Sequence, residues 1–519
     1  MATETSLEFR SSIPDVPIPD VSLTDFVLAK AEALRDKTAI IDGPSGRSLT
    51  YGQLRASIRR AAYGLARRGF GLDDVLAIWS PNVPEYPVAF HAAASAGGVV
   101  TTANPLATVD ELRGQLQDSG AKMLVTIAPL LEKAGEAAAG SPVTEIFVLG
   151  DASGATPFAE LLAEDGEPPR VTFNPAAKVV ALPYSSGTTG LPKGVMLTHR
   201  NLVANLCQIR AFGAQDEQNV HVAILPFYHI YGLTLMLNSV LDEGATVVTL
   251  PRFELEGFLD TLQRYKVTFA CLVPPIILGL AKHPLVDKFD LSSLHTIISG
   301  AAPMGADLEK ACAARLGCSV RQGYGMTELS PVSHSTPPGK ERAGSSGILA
   351  ANTEARIIDT ESGQALGAGR SGELLVRGPQ VMLGYLNQPE ATALTIDREG
   401  WLHTGDVAYV DEDGYLFIVD RVKELIKHNA FQVPPAELEA LLLTHPAVAD
   451  AAVVGIPDAQ SGEIPKAFVV KRAEVSDQEL MDFVEQRVAA YKKIRIVEFV
   501  DSIPRGSSGK ILRRILAGR

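Results

Sequence analysis

Short apolar runs alternate with amphipathic stretches over most of the chain. Leu54, Ile58, Ala61, Ala62 and Leu65 recur at helical spacing behind Thr50 and Gln53, the pair that closes a capping box. The run Val75–Trp79 then predicts a strand. Ser80-Pro81-Asn82 ends it, a helical stretch reaches Ala96, Gly97-Gly98 ends that, and Val99–Thr102 predicts a second strand. Strand–helix–strand units of this kind cover a parallel sheet. Further runs at Val179–Leu182, Val220–Leu225, Thr246–Leu250, Val267–Val273 and His295–Ser299 continue the pattern. Several stop in Gly, Ser, Thr or Pro, and in open α/β sheets ligands bind beyond the carboxyl ends of strands.

The pattern changes after Asp420-Arg421. Pro434-Pro435 opens a helix whose Leu438, Leu441 and Leu442 share one face. Ala451–Val454 predicts a strand, Ser476 and Glu479 cap another helix, and Ile494–Val500 predicts a further strand. About 100 residues of small α+β pattern is a domain's worth. The expected fold class is therefore α/β. A large N-terminal domain, residues 1–419, carries mixed, mostly parallel sheets with helices, and a small α+β C-terminal domain takes residues 420–519.

Composition narrows the function. The 519 residues hold 60 Asp and Glu against 47 Lys and Arg, a net charge of −13, which speaks against a nucleic-acid partner bound through overall positive charge. Four cysteines without a CxxC pair argue against a disulfide framework or a thiolate zinc site and fit a reducing cytoplasm. No apolar run approaches the roughly 18 residues that span a bilayer, so no membrane partner is expected. The start MATETSLEFRSS has no apolar signal core and the terminal AGR is not a peroxisomal address.

The strongest local signal is Tyr184-Ser185-Ser186-Gly187-Thr188-Thr189-Gly190-Leu191-Pro192-Lys193-Gly194, directly after an apolar strand. Gly187 and Gly190 let the backbone come close to an anion, Ser185, Ser186, Thr188 and Thr189 add hydroxyl donors, and Lys193 adds a positive charge. No Gly-Lys-Ser/Thr tripeptide ends it, so it is not a Walker A loop. Gly- and Ser-rich stretches are ordinarily surface turns. This density of hydroxyls around two glycines and a lysine favours phosphate contact instead.

The run from Ser185 to Gly194 resembles the signature of the adenylate-forming superfamily of acyl-CoA synthetases, luciferases and amino-acid adenylation domains. Gly323-Tyr324-Gly325-Met326-Thr327-Glu328, Gly400-Trp401-Leu402-His403-Thr404-Gly405-Asp406, Asp420-Arg421-Val422-Lys423-Glu424-Leu425-Ile426-Lys427 and Gly509-Lys510 follow in the family's order. Phe227-Tyr228-His229-Ile230-Tyr231-Gly232 and the stretch Gln322–Val332 are most similar to the 4-coumarate/cinnamate–CoA ligases.

The resemblance implies two steps: a carboxylate attacks the α-phosphate of ATP to give acyl-AMP and pyrophosphate, and a thiol then takes the acyl group. The first step brings an anion to a polyanion, so positioning and positive charge must carry it. By resemblance, Lys193 and the loop hydroxyls hold the β- and γ-phosphates. Glu328, with Thr188, is the Mg²⁺ ligand, offering the hard oxygen that ion prefers. Asp406 and Arg421 hold the ribose. Gln322, Gly323, Tyr324 and Thr327 line the nucleotide site, and Lys427 and Gln432 are associated with adenylation. Lys510 is the adenylation lysine, bridging the carboxylate and the α-phosphate. A small domain carrying an essential lysine implies a mobile lid, hinged at Asp420.

For the acid, the resemblance points to a slot formed by His229, Tyr231, Gly300, Ala301, Ala302, Gly323, Gly325, Pro331 and Val332. Small residues beside a tyrosine suit a flat ring. His229 is counted as a pocket or gate residue that takes part in catalysis. The run Tyr228-His229-Ile230-Tyr231 carries no carboxylate for a substrate ammonium, which disfavours an amino acid and leaves a medium-chain fatty acid open.

One departure bears on the second step. CoA-using relatives carry Tyr-Lys-Gly where this chain has His428-Asn429-Ala430, followed by the usual Phe431-Gln432-Val433. The change removes a cation from a CoA region otherwise formed with Lys423, and puts a methyl group where pantetheine would pass. The expected activity is ATP-dependent activation of an aromatic, hydroxycinnamate-like (phenylpropanoid) acid and its transfer to CoA. The alternative is an adenylating enzyme with an impaired CoA step or another acceptor, and behind both stands a non-catalytic acyl-adenylate-binding protein.

Overall fold

The computed structural model describes residues 7–163, 165–185, 192–213, 216–428, 431–458, 460–506 and 509–517. The apolar runs become strands close to their expected limits. Val75–Trp79 is buried at every position and lies between Val99–Thr102 and Ala121–Ile127, parallel to both. Strands covered on both faces read as continuous apolar runs, which is why the sequence exposes them. Thr50 and Gln53 do close a capping box, at the head of the helix Tyr51–Arg67, whose Leu54, Ile58, Ala61, Ala62 and Leu65 face the core.

Among the described residues the N-terminal part holds three sheets. The first has eight strands, with Glu145–Leu149, Ala121–Ile127, Val75–Trp79, Val99–Thr102 and Val179–Ser185 parallel in that spatial order. Lys193–Thr198 and the two-residue strand Gly384–Tyr385 are added antiparallel at one edge. The second has nine strands; Thr246–Thr249, Val220–Ala223, Phe269–Leu272, Thr296–Ser299 and Ser319–Gly325 run parallel through its centre. Helices fill the space between these sheets around one extensive apolar cluster. A third, antiparallel sheet is built from Glu8–Arg10, Glu354–Ile358, Gly372–Arg377, Leu402–Val410 and Leu416–Arg421, with Ala365–Leu366 at its side, over its own apolar cluster.

Two strands stop short of their apolar runs. Val220–Ala223 ends before Leu225 because the Leu225 carbonyl turns away to accept the Asn82 amide at 2.9 Å. The strand Phe269–Leu272 begins after Lys266, whose φ of 50° closes the preceding turn.

From Ile426 onward the chain packs on itself. Two apolar clusters draw only on residues between Ile426 and Leu516. The expected helix is Pro435–Thr444, with Leu438 and Leu442 buried and Leu441 half-buried, and Ser476 caps Asp477–Glu485 through the Glu479 amide. Val448–Asp458 and Gly462–Lys471 form a long antiparallel pair, with Ile496–Phe499 parallel beside it. Among the described residues no helix is long and apolar enough to cross a membrane.

Candidate active site

The stem of the glycine-rich loop is an antiparallel pair in which Lys193 stands opposite Ser185. The loop itself, with Ser186, Gly187, Thr188, Thr189 and Gly190, lies outside the described residues. Lys193 Nζ sits 4.8 Å from the centre of the Tyr385 ring. Glu328 follows the strand Ser319–Gly325 in a short turn and is buried; its Oε1 accepts hydrogen bonds from the Tyr385 hydroxyl (2.8 Å) and the Ser185 hydroxyl (3.0 Å). No donor reaches Oε2 among the described residues. The same residues contain no cluster of three or more His, Cys, Asp or Glu able to cage a metal. A single carboxylate oxygen left without a protein donor fits Mg²⁺, an ion that needs few protein ligands because it keeps waters and takes further oxygens from substrate phosphates.

The third sheet carries the pair expected at the ribose. Asp406 and Arg421 are directly opposed on adjacent antiparallel strands, and Arg421 Nε lies 3.2 Å from Asp406 Oδ1. Tyr324 donates its hydroxyl to Asp406 Oδ2 at 2.6 Å. Burial pushes the Asp406 carboxyl up from its ordinary value, opposed by Arg421, the Tyr324 hydrogen bond and Lys510. Each carboxylate oxygen retains a lone pair for a further donor.

Lys510 comes to this cluster from the far end of the chain. Gly509 packs against Val273, the residue that follows the strand Phe269–Leu272 at its carboxyl end. Three residues on from Lys510, Arg513 is half-buried: Nη2 donates to both Glu439 oxygens at 2.8 Å and Nη1 to Glu424 Oε2 at 2.6 Å. This guanidinium fixes the tail to the body of the C-terminal region, so Lys510 moves with it.

Desolvation, with the Arg421 cation close by, brings the Lys510 amine down from 10.5 to about 8; Glu424 and Asp406 resist the shift and Arg513 adds to it. For the role that the resemblance implies, the ammonium is the useful form beside two anions. Adenylation kcat/KM, which reports the free enzyme, is therefore expected to fall as pH rises through about 8. The profile of kcat should titrate higher, because bound polyphosphate favours the proton. Since the docked tail holds its proton less tightly than a free lysine, docking is opposed by protonation and should strengthen from about pH 8 to 10.5. A kcat/KM profile flat to pH 10, measured as pyrophosphate release in buffers of constant ionic strength, contradicts this assignment.

Of the residues expected around the acid, Tyr231 is buried and donates its hydroxyl to the Ile298 carbonyl (3.2 Å). A Cβ at Gly300 would stand 2.9 Å from that ring, closer than carbon atoms pack, so only glycine allows the approach. Ala301, at a φ of 69°, and Gly325 are exposed, Ala302 and Gly323 are half-buried, and Pro331 and Val332 are buried. Val332 is clamped at both backbone atoms by Asn205, a residue the sequence patterns did not single out. His229 accepts the Tyr231 amide at Nδ1, and burial lowers its imidazole to about 4, so it is neutral here.

Other expected residues occupy different ground. Gln322 is buried with its amide committed to both backbone atoms of Met304 and to Glu309, which pins the loop that follows Gly300. Thr327 is buried beside Glu328. Lys427 and Gln432 face each other across an exposed hairpin, outside the cluster of Asp406, Arg421 and Lys510. Asp420 is buried and spans the change of core, with Oδ1 accepting the Arg421 amide and Oδ2 the Ala436 amide in the first turn of the helix Pro435–Thr444. Lys423 is exposed in the following turn, and His428 is buried with Nδ1 donating to the Glu463 carbonyl at 2.8 Å. Asn429 and Ala430 lie outside the described residues.

Residues 27–386 match the AMP-binding enzyme family and residues 437–510 the AMP-binding enzyme C-terminal domain. The chain is 44% identical to 4-coumarate–CoA ligase 3 of Oryza sativa subsp. japonica, covering 100% of this chain and 96% of the relative. It superposes on the crystal structure of ATP-bound MatB from Rhodopseudomonas palustris with a TM-score of 0.88 at 30% identity, covering 96% of this chain and 99% of that one. The anthranilate–CoA ligase AuaEII in complex with anthranoyl-AMP superposes with a TM-score of 0.89 at 26% identity, covering 97% and 98%.

Proposed function

Because this chain belongs to the AMP-binding enzyme family, as an adenylate-forming ligase of the 4-coumarate–CoA ligase type, we propose that it activates an aromatic, hydroxycinnamate-like carboxylate with ATP and passes the acyl group to CoA. The observation that carries the first step is that Lys510, held in the C-terminal region, is half-buried within electrostatic reach of Asp406 and Arg421 of the third sheet, next to Gly509, which packs on Val273 beyond the end of the strand Phe269–Leu272. Asp406 and Arg421 hold the ribose, and Lys193 with the glycine-rich loop holds the β- and γ-phosphates. Glu328 holds Mg²⁺, which when bound neutralises phosphate charge. One carboxylate oxygen of the acid bonds to the α-phosphorus as the bond to pyrophosphate breaks, giving acyl-AMP. The Lys510 ammonium lies against both partners and offsets their repulsion, which in a desolvated site is worth far more than in water.

A flat acid is supported by the contact between Gly300 and the Tyr231 ring, which seats that ring as a surface on which another ring can stack. In the second step a thiol attacks the acyl carbon and AMP leaves. We assign residues 1–419 to the ATP- and acid-binding domain and 420–519 to a lid hinged at Asp420. The separate apolar clusters after Ile426 and the position of Asp420 between β-sheet and helix support that division.

His428 favours a second reading for the acceptor. It occupies the first position of the relatives' Tyr-Lys-Gly and is held by Glu463, so CoA transfer is slow or another nucleophile takes the acyl group. The test is a panel of cinnamic, coumaric, benzoic and fatty acids, scored in parallel for pyrophosphate and for thioester by mass spectrometry. Pyrophosphate release with hydroxycinnamic acids supports the adenylation reading, and a thioester in step with it supports CoA as acceptor. Pyrophosphate without thioester, cured by restoring Tyr-Lys-Gly at 428–430, selects the second reading. No release with any acid rejects both.

A further inference from the structure

Lys193 and Glu328 carry opposite charges in the same cleft and would neutralise one another if they met before ATP arrived. Tyr385 touches both. It enters from Gly384–Tyr385, which pairs with Lys193–Thr198 so that Tyr385 stands opposite Val195, two residues from Lys193 and therefore on the same face of the sheet. Its ring lies under Lys193 Nζ at 4.8 Å, and its hydroxyl donates to Glu328 Oε1 at 2.8 Å.

The approach of this edge strand is itself constrained. Gly384 has a φ of 149°, and a Cβ there would meet the Thr392 side chain at 2.7 Å. The Thr392 hydroxyl in turn accepts the Tyr385 amide at 2.9 Å, fixing the ring from behind.

We propose that Tyr385 is a positioning residue for the ATP–metal site: its ring seats Lys193 toward the phosphates, and its hydroxyl, with Ser185, occupies Glu328 Oε1 and turns Oε2 to the metal. The inference rests on the ligase reading for the identity of the ligands. A tyrosine suits the task because it serves a cation through its π face and an anion through its hydroxyl without adding charge of its own.

The test compares Tyr385→Phe, which keeps the ring, with Tyr385→Leu, which keeps neither function. Binding of a fluorescent trinitrophenyl-ATP is titrated with and without Mg²⁺ and in the absence of any acid, and the Mg²⁺ dependence of acid-driven pyrophosphate release is measured beside it. Tyr385→Phe is expected to raise the half-saturating Mg²⁺ concentration about tenfold while leaving metal-free nucleotide binding unchanged. Tyr385→Leu should add a loss of roughly two- to fivefold in metal-free binding, the share of the ring beneath Lys193.

Wild-type Mg²⁺ dependence in Tyr385→Phe, or equal behaviour of the two variants in both titrations, overturns the proposal. Should Tyr385→Leu fail to fold, the near-isosteric Tyr385→Phe still decides it through its Mg²⁺ dependence. If the wild type releases no pyrophosphate with any acid, the ligase reading has failed, and the binding titrations judge Tyr385 independently.

Discussion

Replacing Lys510 with alanine is expected to slow acid-dependent pyrophosphate release by about 10³-fold while changing the dissociation constant for ATP only a few-fold, the pattern of a group that acts as charge develops rather than in ground-state binding. The structure gives the reason for the asymmetry. Lys510 is brought into a desolvated cluster already holding the Arg421 cation, so its ammonium sits there at a cost, visible in the lowered pKa. That cost is recovered only when two anions are pressed together beside it. Preformed acyl-AMP offered to the Lys510→Ala variant should give thioester at the wild-type rate, since the lysine has no part in thiol attack. Equal losses in nucleotide binding and turnover, measured by equilibrium titration and by initial rates, contradict this role.

The second large effect is expected at Asp406. Asp406→Ala strips the Tyr324 hydroxyl and the Arg421 guanidinium of a shared, buried acceptor and removes the proposed ribose ligand. Charge-assisted hydrogen bonds are each worth about 1.5–3 kcal/mol, so two lost ribose contacts amount to a fall of roughly 10²- to 10⁴-fold in kcat/KM for ATP. Asp406→Asn keeps the shape and one acceptor oxygen and should lose about tenfold less. Initial rates at varied ATP decide the matter. A loss confined to the KM of the acid would move Asp406 out of the nucleotide site.

Much of this was legible in the sequence where burial was two-sided. Val75–Trp79 and Val99–Thr102 declare themselves because every side chain in them is apolar or small and all are covered. The antiparallel sheet that holds Asp406 and Arg421 left a weaker trace: Leu402–Val410 alternates buried and half-buried positions and contains Gly405, so its importance was read from a motif instead of a pattern.

Nothing in the local composition around Lys510, with Arg513 and Arg514 close behind it, sets it apart from a solvated lysine, and only the resemblance singled it out. Its burial depends on Arg513 being taken up by Glu439 and Glu424, long-range pairings that no local window contains. Tyr385 was invisible for a similar reason, since a two-residue edge strand has no periodicity and its neighbours in space lie far away in the chain. Gln322 was read by resemblance as a nucleotide contact; its partners Met304 and Glu309 come from the segment that precedes its strand, and only the folded register brings them together.

The central claim is that the acid's own oxygen bonds to the α-phosphorus in this cleft. It is tested most directly by supplying a hydroxycinnamic acid labelled with ¹⁸O in both carboxylate positions, with hydroxylamine to capture the acyl group whatever the natural acceptor. The account predicts AMP carrying one ¹⁸O atom and pyrophosphate carrying none, by mass spectrometry. Unlabelled AMP, or label in pyrophosphate or inorganic phosphate, would contradict it.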